Sequence, residues 1–256
     1  MILHKIAKRI EKKFAHLQGK GFLDLNSEIK NAAHCLNRQA KQGGLIIFDC
    51  GANKGDWSLG LKNELEKKLG ASGLKARFYM FEPSALNIQI ISDKIKGDTR
   101  FEIVPHGVSN EAGETVLYNV ENGAGLGSIY KRNLTDYDMS MDFKEEISLI
   151  TLDHFIEQNH IEKIDYLKLD IEGHELCALE GAQKALTDKK IQHIQFEFGG
   201  CNIDSRTYFH DFYTHLREYG YLIYRITPLG LLEIKRYHEI EESFLPTNYI
   251  ASLSAL

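Results

Sequence analysis

The chain of 256 residues is 43% hydrophobic and 26% charged, the balance of an ordinary globular protein with one substantial core. Its formal charge of -5 is unevenly spread: residues 1–20 carry six Lys or Arg against one Glu, leaving -10 on the remainder and excluding bulk nucleic-acid binding. The cysteines, Cys35, Cys50, Cys177 and Cys201, form no C-x-x-C pair and no zinc spacing, and no apolar run has the length of a membrane span or the layout of a signal peptide, so reduced thiols and a cytoplasmic location are expected.

The first predicted element is a basic amphipathic helix. Ile2, Leu3, Ile6, Ile10, Phe14 and Leu17 recur at helical spacing, while Lys5, Lys8, Arg9, Lys12 and Lys13 fall largely elsewhere on the helix. Such a face packs on its own domain or on a second subunit, or it lies on a membrane surface. A second helix, about Leu25 to Gln42, follows the Gly19-Lys20-Gly21 break, and Gly43-Gly44 closes an N-terminal helical appendage of residues 1–43.

Residues 44–256 then read as one α/β domain. Strand 45–49, helix 56–69, strand 75–81, helix 84–96 and strand 100–105 alternate before a β-rich insertion, 107–150, with β-prone runs at Thr115–Val120 and Ile147–Ile150. Alternation resumes with a helix opening at Thr151, strand Ile164–Leu169, helix 174–187, strand Ile191–Phe198 and helix 205–219, and two β segments, Tyr221–Thr227 and Tyr249–Leu253, close the chain. This order predicts a mostly parallel sheet with helices on both faces.

The stretch Leu45-Ile46-Ile47-Phe48-Asp49-Cys50-Gly51-Ala52-Asn53-Lys54-Gly55 has the form of a buried strand running into a glycine turn at a helix N-terminus, which is a nucleotide-type site. It lacks the third glycine of G-x-G-x-x-G, and no G-x-x-x-x-G-K-[ST] occurs, so dinucleotide and P-loop readings are disfavoured. A cofactor without phosphates, S-adenosylmethionine, fits better. It needs an acidic group for its ribose hydroxyls, and Glu82 ends the next strand 31 residues after Gly51. The glycines of Asn122-Gly123-Ala124-Gly125-Leu126-Gly127-Ser128 follow β-prone sequence rather than opening a helix; they form either a loop over the site, with Asn122 or Ser128 at substrate, or plain linker.

A second cluster, Lys168 to Glu175, places five ionisable residues in eight positions at a strand end, where open α/β sheets form their ligand crevice. Glu197, at the end of the next strand, can share that crevice with Asp170. Three roles remain open: Glu172 or His174 as general base, Asp170 with Glu197 as ligands of a divalent cation, or Glu172 and Glu175 as acids complementing a helix dipole.

Together these residues resemble the FkbM-type S-adenosylmethionine-dependent methyltransferases. The resemblance is carried by residues 48–55, Phe81-Glu82-Pro83, Gly107-Val108-Ser109 with Gly113-Glu114, Thr151-Leu152-Asp153, and residues 165–175, and it spans about 45–253. It implies the class I methyltransferase (Rossmann-like) fold, a seven-stranded sheet whose last strand is antiparallel, and methyl transfer to a hydroxyl of a sugar, glycan or other small natural product. It further implies that Asp49, Gly51, Asn53 and Gly55 hold the cofactor's amino-acid end, that Glu82 holds its ribose, that Ser109 belongs to the cofactor site, and that Asp170 lies beside the methyl group. Cys50 stands where an aliphatic residue is usual. The competing readings are a non-catalytic scaffold that keeps the cofactor fold and, behind it, a nicotinamide-dependent dehydrogenase.

Overall fold

The computed structural model describes residues 2–21, 24–37, 39–41, 43–70 and 74–256. The expected end of the second helix at Gln42 and the side chain of Ile2 lie outside that set. Helices α1 (Ile2–Leu17) and α2 (Leu25–Cys35) precede β1 (Leu45–Cys50), α3 (Asp56–Leu69), β2 (Ala76–Phe81), α4 (Ala85–Lys94) and β3 (Phe101–Val104). The middle of the chain supplies β4 (Gly107–Val108), β5 (Gly113–Asn119), β6 (Phe143–Ile150), α5 (Leu152–Gln158) and β7 (Tyr166–Leu169). It closes with α6 (Glu175–Glu180), α7 (Gln183–Thr187), β8 (His193–Phe198), α8 (Cys201–Ser205), α9 (Phe209–Glu218), β9 (Leu222–Thr227), β10 (Gly230–Glu233) and β11 (Thr247–Ser252).

The main sheet has the order β10-β9-β11-β8-β7-β1-β2-β3. Strand β1 pairs in parallel with β2 and β7, while β11 runs antiparallel between β8 and β9. The sheet therefore has eight strands among the described residues rather than the expected seven. The extra one is β10, folded back on β9 by a turn in which the Thr227 hydroxyl donates to the Gly230 carbonyl at 2.8 Å. The stretch between β3 and α5 forms a separate small sheet, β4-β6-β5.

Side chains of β1 alternate between two apolar layers. Phe48 and Cys50 join Phe81, Phe155 and Leu179 on one face, and Leu45 and Ile47 join Trp57, Leu61 and Phe78 on the other. Helix α2 buries Ile29, Ala32, Ala33 and Leu36 in that second layer, so it covers the sheet together with α3. Helix α1, by contrast, leaves Leu3, Ile6, Ile10, Phe14 and Leu17 in solvent. No helix among the described residues is long and apolar enough to cross a membrane, and all four cysteines are free thiols.

Of the expected helices, one is divided and another begins late. The 174–187 segment breaks at Gly181, where a Cβ would lie 2.1 Å from the Ser109 carbonyl oxygen, so close packing on the strand below interrupts the helix. The 205–219 helix starts only at Phe209, because Arg206 adopts φ +58° and the Asn202 side chain accepts from the Gly199 N–H and donates to the Thr207 hydroxyl, which closes a separate short helix, α8. The second helix ends at Cys35, earlier than its apolar spacing predicts, and Gln39–Lys41 forms a separate single turn.

Candidate active site

The carboxyl ends of β1, β2 and β7 open into a cleft of about 780 Å³ whose walls include Gly51, Asn53, Glu82, Asp170, Glu172 and His174. This is where an open α/β sheet places its ligand, because the strands stop while the loops diverge. At Gly51 the chain takes φ +82°, and a Cβ there would lie 1.9 Å from the Asp170 carbonyl oxygen. Only glycine lets the β1 turn touch the turn after β7. Gly55, at φ +78°, caps α3 from behind the cleft and does not line it.

Asn53 and Glu82 bind the two neighbouring turns together. The Asn53 N–H donates to Glu82 Oε2 at 2.7 Å, and Glu82 Oε1 accepts from the Ser84 N–H at 3.0 Å and from Asn87 Nδ2 at 3.4 Å. Burial pushes the Glu82 carboxyl up to about 7 against these donors. A carboxylate has about four acceptor sites, so one remains for a ligand hydroxyl. The Asn53 side-chain oxygen is buried without a partner among the described residues. Such a group is costly unless something in the cleft donates to it. An acceptor facing an acidic group across a glycine-lined turn suits the amino-acid end and ribose of S-adenosylmethionine.

The glycine-rich segment 122–128 forms a wall of this cleft. Ala124, Gly125, Gly127 and Ser128 line it, and a Cβ on Gly125 would lie 3.1 Å from Asn53 Nδ2. Ser128 also ties this wall to the opposite turn, donating to the Glu172 carbonyl at 2.7 Å.

Across the cleft, the turn after β7 is strapped by Glu175. Its carboxylate accepts from the Ile171 N–H at 2.9 Å and from the Gly173 N–H at 3.1 Å, which gives Glu175 the structural role and holds Glu172 at φ +53°. Glu172 Oε2 accepts from Arg132 Nη1 at 2.7 Å. Burial, reinforced by the Asp170 charge and opposed by Arg132, raises the Glu172 carboxyl to about 8. His174 is held on both sides: Nε2 lies 2.9 Å from Ser109 Oγ and Nδ1 lies 3.0 Å from Tyr130 Oη. Burial lowers it to about 4, so it is neutral near neutral pH. Ser109 is thus a support beneath His174 and does not line the cleft.

Asp49 likewise sits below the cleft. It is fully buried, accepts from Ser58 Oγ at 2.7 Å and faces Lys168 Nζ at 3.8 Å. Lys168 reaches up to Asp170 Oδ2 at 2.7 Å. Burial opposes ionisation at Asp170, yet the Lys168 ammonium holds its carboxyl below the usual range. Leu169 and Phe196 are register partners, so Glu197 stands beside Asp170 at adjacent strand ends, and burial beside that charge raises it well above the usual carboxylate range. Among the described residues, no three or more His, Cys, Asp or Glu are arranged to hold a metal ion. Lys168 supplies the positive charge that Asp170 needs.

Sequence reasoning missed Arg132 and Tyr130. Both belong to the irregular segment between β5 and β6, where no periodic pattern marks them. Asn87 and His106, which also line the cleft, carried no motif signal either.

The chain matches the Methyltransferase FkbM domain over residues 49–223. In fold it is similar to the methyltransferase FkbM of Methylobacillus flagellatus KT, with 19% identity, TM-score 0.50, and 81% of this chain and 43% of that one covered. This chain therefore spans less than half the length of that protein. Looser likenesses extend to an rRNA methylase of Streptococcus thermophilus (11% identity, TM-score 0.45, 88% and 93% covered) and to Aeropyrum pernix fibrillarin in complex with S-adenosyl-L-methionine (11%, 0.42, 86% and 76%). No protein of curated function matches the sequence. A matching domain over most of the chain, with its motifs gathered around one cleft, shows that the chain belongs to the FkbM methyltransferase family.

Proposed function

We propose that the protein is an S-adenosylmethionine-dependent O-methyltransferase acting on a hydroxyl of a sugar, glycan or other small natural product. The observation that carries this reading is the meeting, in one cleft, of the Gly51-Asn53-Glu82 turn with a carboxyl, Glu172, whose pKa is raised to about 8. Gly51, Asn53 and Glu82 would hold the cofactor, which supplies an electrophilic methyl group when bound.

The chain's own residues account for the acceptor side. Glu172 takes the hydroxyl proton at Oε1, because Oε2 is occupied by Arg132. A carboxyl raised toward the working pH is a better-matched base than an ordinary one. Asp170 stays ionised beside Lys168 and contributes fixed negative charge to the same wall. His174, neutral and held by Ser109 and Tyr130, orients rather than accepts. Fixing both partners in a walled cleft is the larger share of the rate gain in a direct transfer.

A labelled-methyl transfer screen over sugars, glycans and hydroxylated natural products, read by mass spectrometry, tests the reaction. Calorimetry with S-adenosylhomocysteine tests the cofactor half. Binding weakened about tenfold or more by Glu82→Ala, the loss of one charged hydrogen-bond acceptor, supports the reading. Absence of binding by the intact protein removes it. A chelator titration separates this reading from a metal-assisted one in which Asp170 and Glu197 hold a divalent cation: undiminished transfer in excess chelator leaves the cation no role.

A further inference from the structure

Helix α1 is rooted firmly and then left bare. At its root Gly19 takes φ +77°, and a Cβ there would lie 2.1 Å from the Ile226 carbonyl oxygen, so the backbone is pressed against the end of β9. The Gly19 N–H donates to His16 and the Lys20 N–H to Ala15, closing the helix. Lys20 is buried, donates to the Ile240 carbonyl and faces Glu241 at 3.7 Å, and Glu241 in turn pairs with Arg225 at 3.2 Å. Beyond this root, Leu3 (82% exposed), Ile6 (47%), Ile10 (50%), Phe14 (61%) and Leu17 (51%) have no cover.

These five positions fall within roughly 80° of arc on a 3.6-residue helix, and Lys5, Lys8, Arg9 and Lys12 occupy the facing and flanking arc. A continuous apolar stripe on an exposed helix marks an interaction surface. Its charge selects the partner. The helix holds five Lys or Arg and a single acid, Glu11, a net charge that favours an anionic partner over a second basic helix. An anionic lipid surface satisfies both faces at once: acyl chains take the stripe and phosphates take the cations.

The root gives the contact a direction. Strand β9 runs parallel to β8, because both are antiparallel to β11, so Ile226 and Thr227 lie on the same carboxyl edge of the sheet as the cleft. The segments that grip the root expose Leu229 (86%) and Ile240 (74%) at that edge.

We propose that α1 lies on an anionic bilayer surface, with Leu3, Ile6, Ile10, Phe14 and Leu17 in the acyl boundary and the basic face on lipid phosphates. The helix thereby holds the cleft-bearing edge of the domain beside the membrane. This stands independently of the reaction assigned to the cleft.

The test is sedimentation of the full chain with vesicles of phosphatidylcholine alone and of an equal mixture with phosphatidylglycerol. Co-sedimentation at least about tenfold greater with the mixture is expected, falling as salt rises from ~0.1 to ~0.5 M. Ile10→Asp with Phe14→Asp, and separately Lys5→Glu, Lys8→Glu and Lys12→Glu together, should each abolish it, while unchanged S-adenosylhomocysteine affinity or circular dichroism shows the fold is intact. Intact protein that stays in the supernatant with the mixture, or variants that sediment as well as the parent, overturns the proposal. So does a dimer in light scattering without lipid that Ile10→Asp converts to monomer, since a second copy then covers the stripe.

Discussion

Lys168 of β7 stands opposite Asp49 of β1 in parallel register, and its ammonium lies 3.8 Å from Asp49 and 2.7 Å from Asp170. The next strand continues the row, since Gln195 of β8 is the register partner of Lys168 and donates to Glu28 of α2 at 2.9 Å. A polar row thus crosses an apolar core directly under the cleft. Burial works against the Lys168 charge, but Asp170, Asp49 and Glu28 together keep it protonated.

Lys168→Met should therefore be strongly destabilising. It leaves Asp49, whose carboxyl burial already raises, with Ser58 as its side-chain partner and without the Lys168 charge that offsets that burial, and breaking a buried pair from one side costs about 3–5 kcal/mol. Asp170 loses its counter-ion in the same step, so S-adenosylhomocysteine affinity should fall as well. Urea unfolding and calorimetry read the two effects. An unchanged unfolding midpoint would show that the row is not charged as described.

Methyl transfer should rise with pH through about 8 as Glu172 loses its proton, because only the carboxylate accepts one from the acceptor. Initial rates from pH 6 to 9 at saturating cofactor, on whichever acceptor the screen finds, measure this. Glu172→Gln should remove both the rise and most of the rate, by about 10²–10⁴-fold. A variant as active as the parent excludes Glu172 as the base.

Arg132 opposes the rise in the Glu172 pKa, so Arg132→Met should move that limb to higher pH while the rate at high pH survives. A limb that stays in place assigns the titration to another group.

Fold stability should fall as pH rises from about 6.5 to 8. Glu28, Glu82 and Glu175 are raised from 4.5 to about 7, and Glu172 to about 8, chiefly by burial, so the native state holds protons that the unfolded chain has already released. Raised folded-state values add stability at low pH that is lost as pH passes through them, at up to about 1.4 kcal/mol per proton per pH unit. His174 and His193, lowered to about 4 by burial, act in the opposite sense, but only below their unfolded value of 6.5. Denaturant midpoints at pH 6.5 and 8 check the sign, and a rise over that window contradicts it.

Gly51→Ala should abolish S-adenosylhomocysteine binding or folding, because its Cβ collides with the Asp170 carbonyl oxygen. Gly97→Ala is the matched control. It has φ +83° with open space around it, and should cost only about 1–2 kcal/mol for a side chain at positive φ. Equal behaviour of the two variants would leave the close approach without importance.

Much of the architecture was legible because its signals are local. The apolar run into Gly51 and Gly55 located β1 and α3, with α3 at Asp56–Leu69 as its spacing predicts. Thr151 caps α5 by accepting from the His154 N–H at 3.2 Å, so a hydroxyl before an apolar run marked that helix correctly. The break at Gly181 was not legible, since it arises where Ser109 presses on the helix, and the late start of α9 follows from the positive φ of Arg206 and the Asn202 hydrogen bonds, which no apolar spacing records. β10 escaped notice because a short, half-exposed hairpin strand carries no strong alternation.

The sequence by itself determined which strands end in chemistry: Gly51, Glu82 and Asp170 each follow a buried apolar run, and burial of such runs permits few other arrangements. Tertiary structure alone decided which of those groups face a ligand. It sent Asp49 beneath the cleft to Ser58 and Lys168, put Ser109 under His174, brought Arg132 onto Glu172 from an unpatterned loop, and left α1 without a neighbour. The physical reason is that charge, burial and hydrogen-bond geometry are set by contacts between segments far apart in the chain, and no local pattern records them.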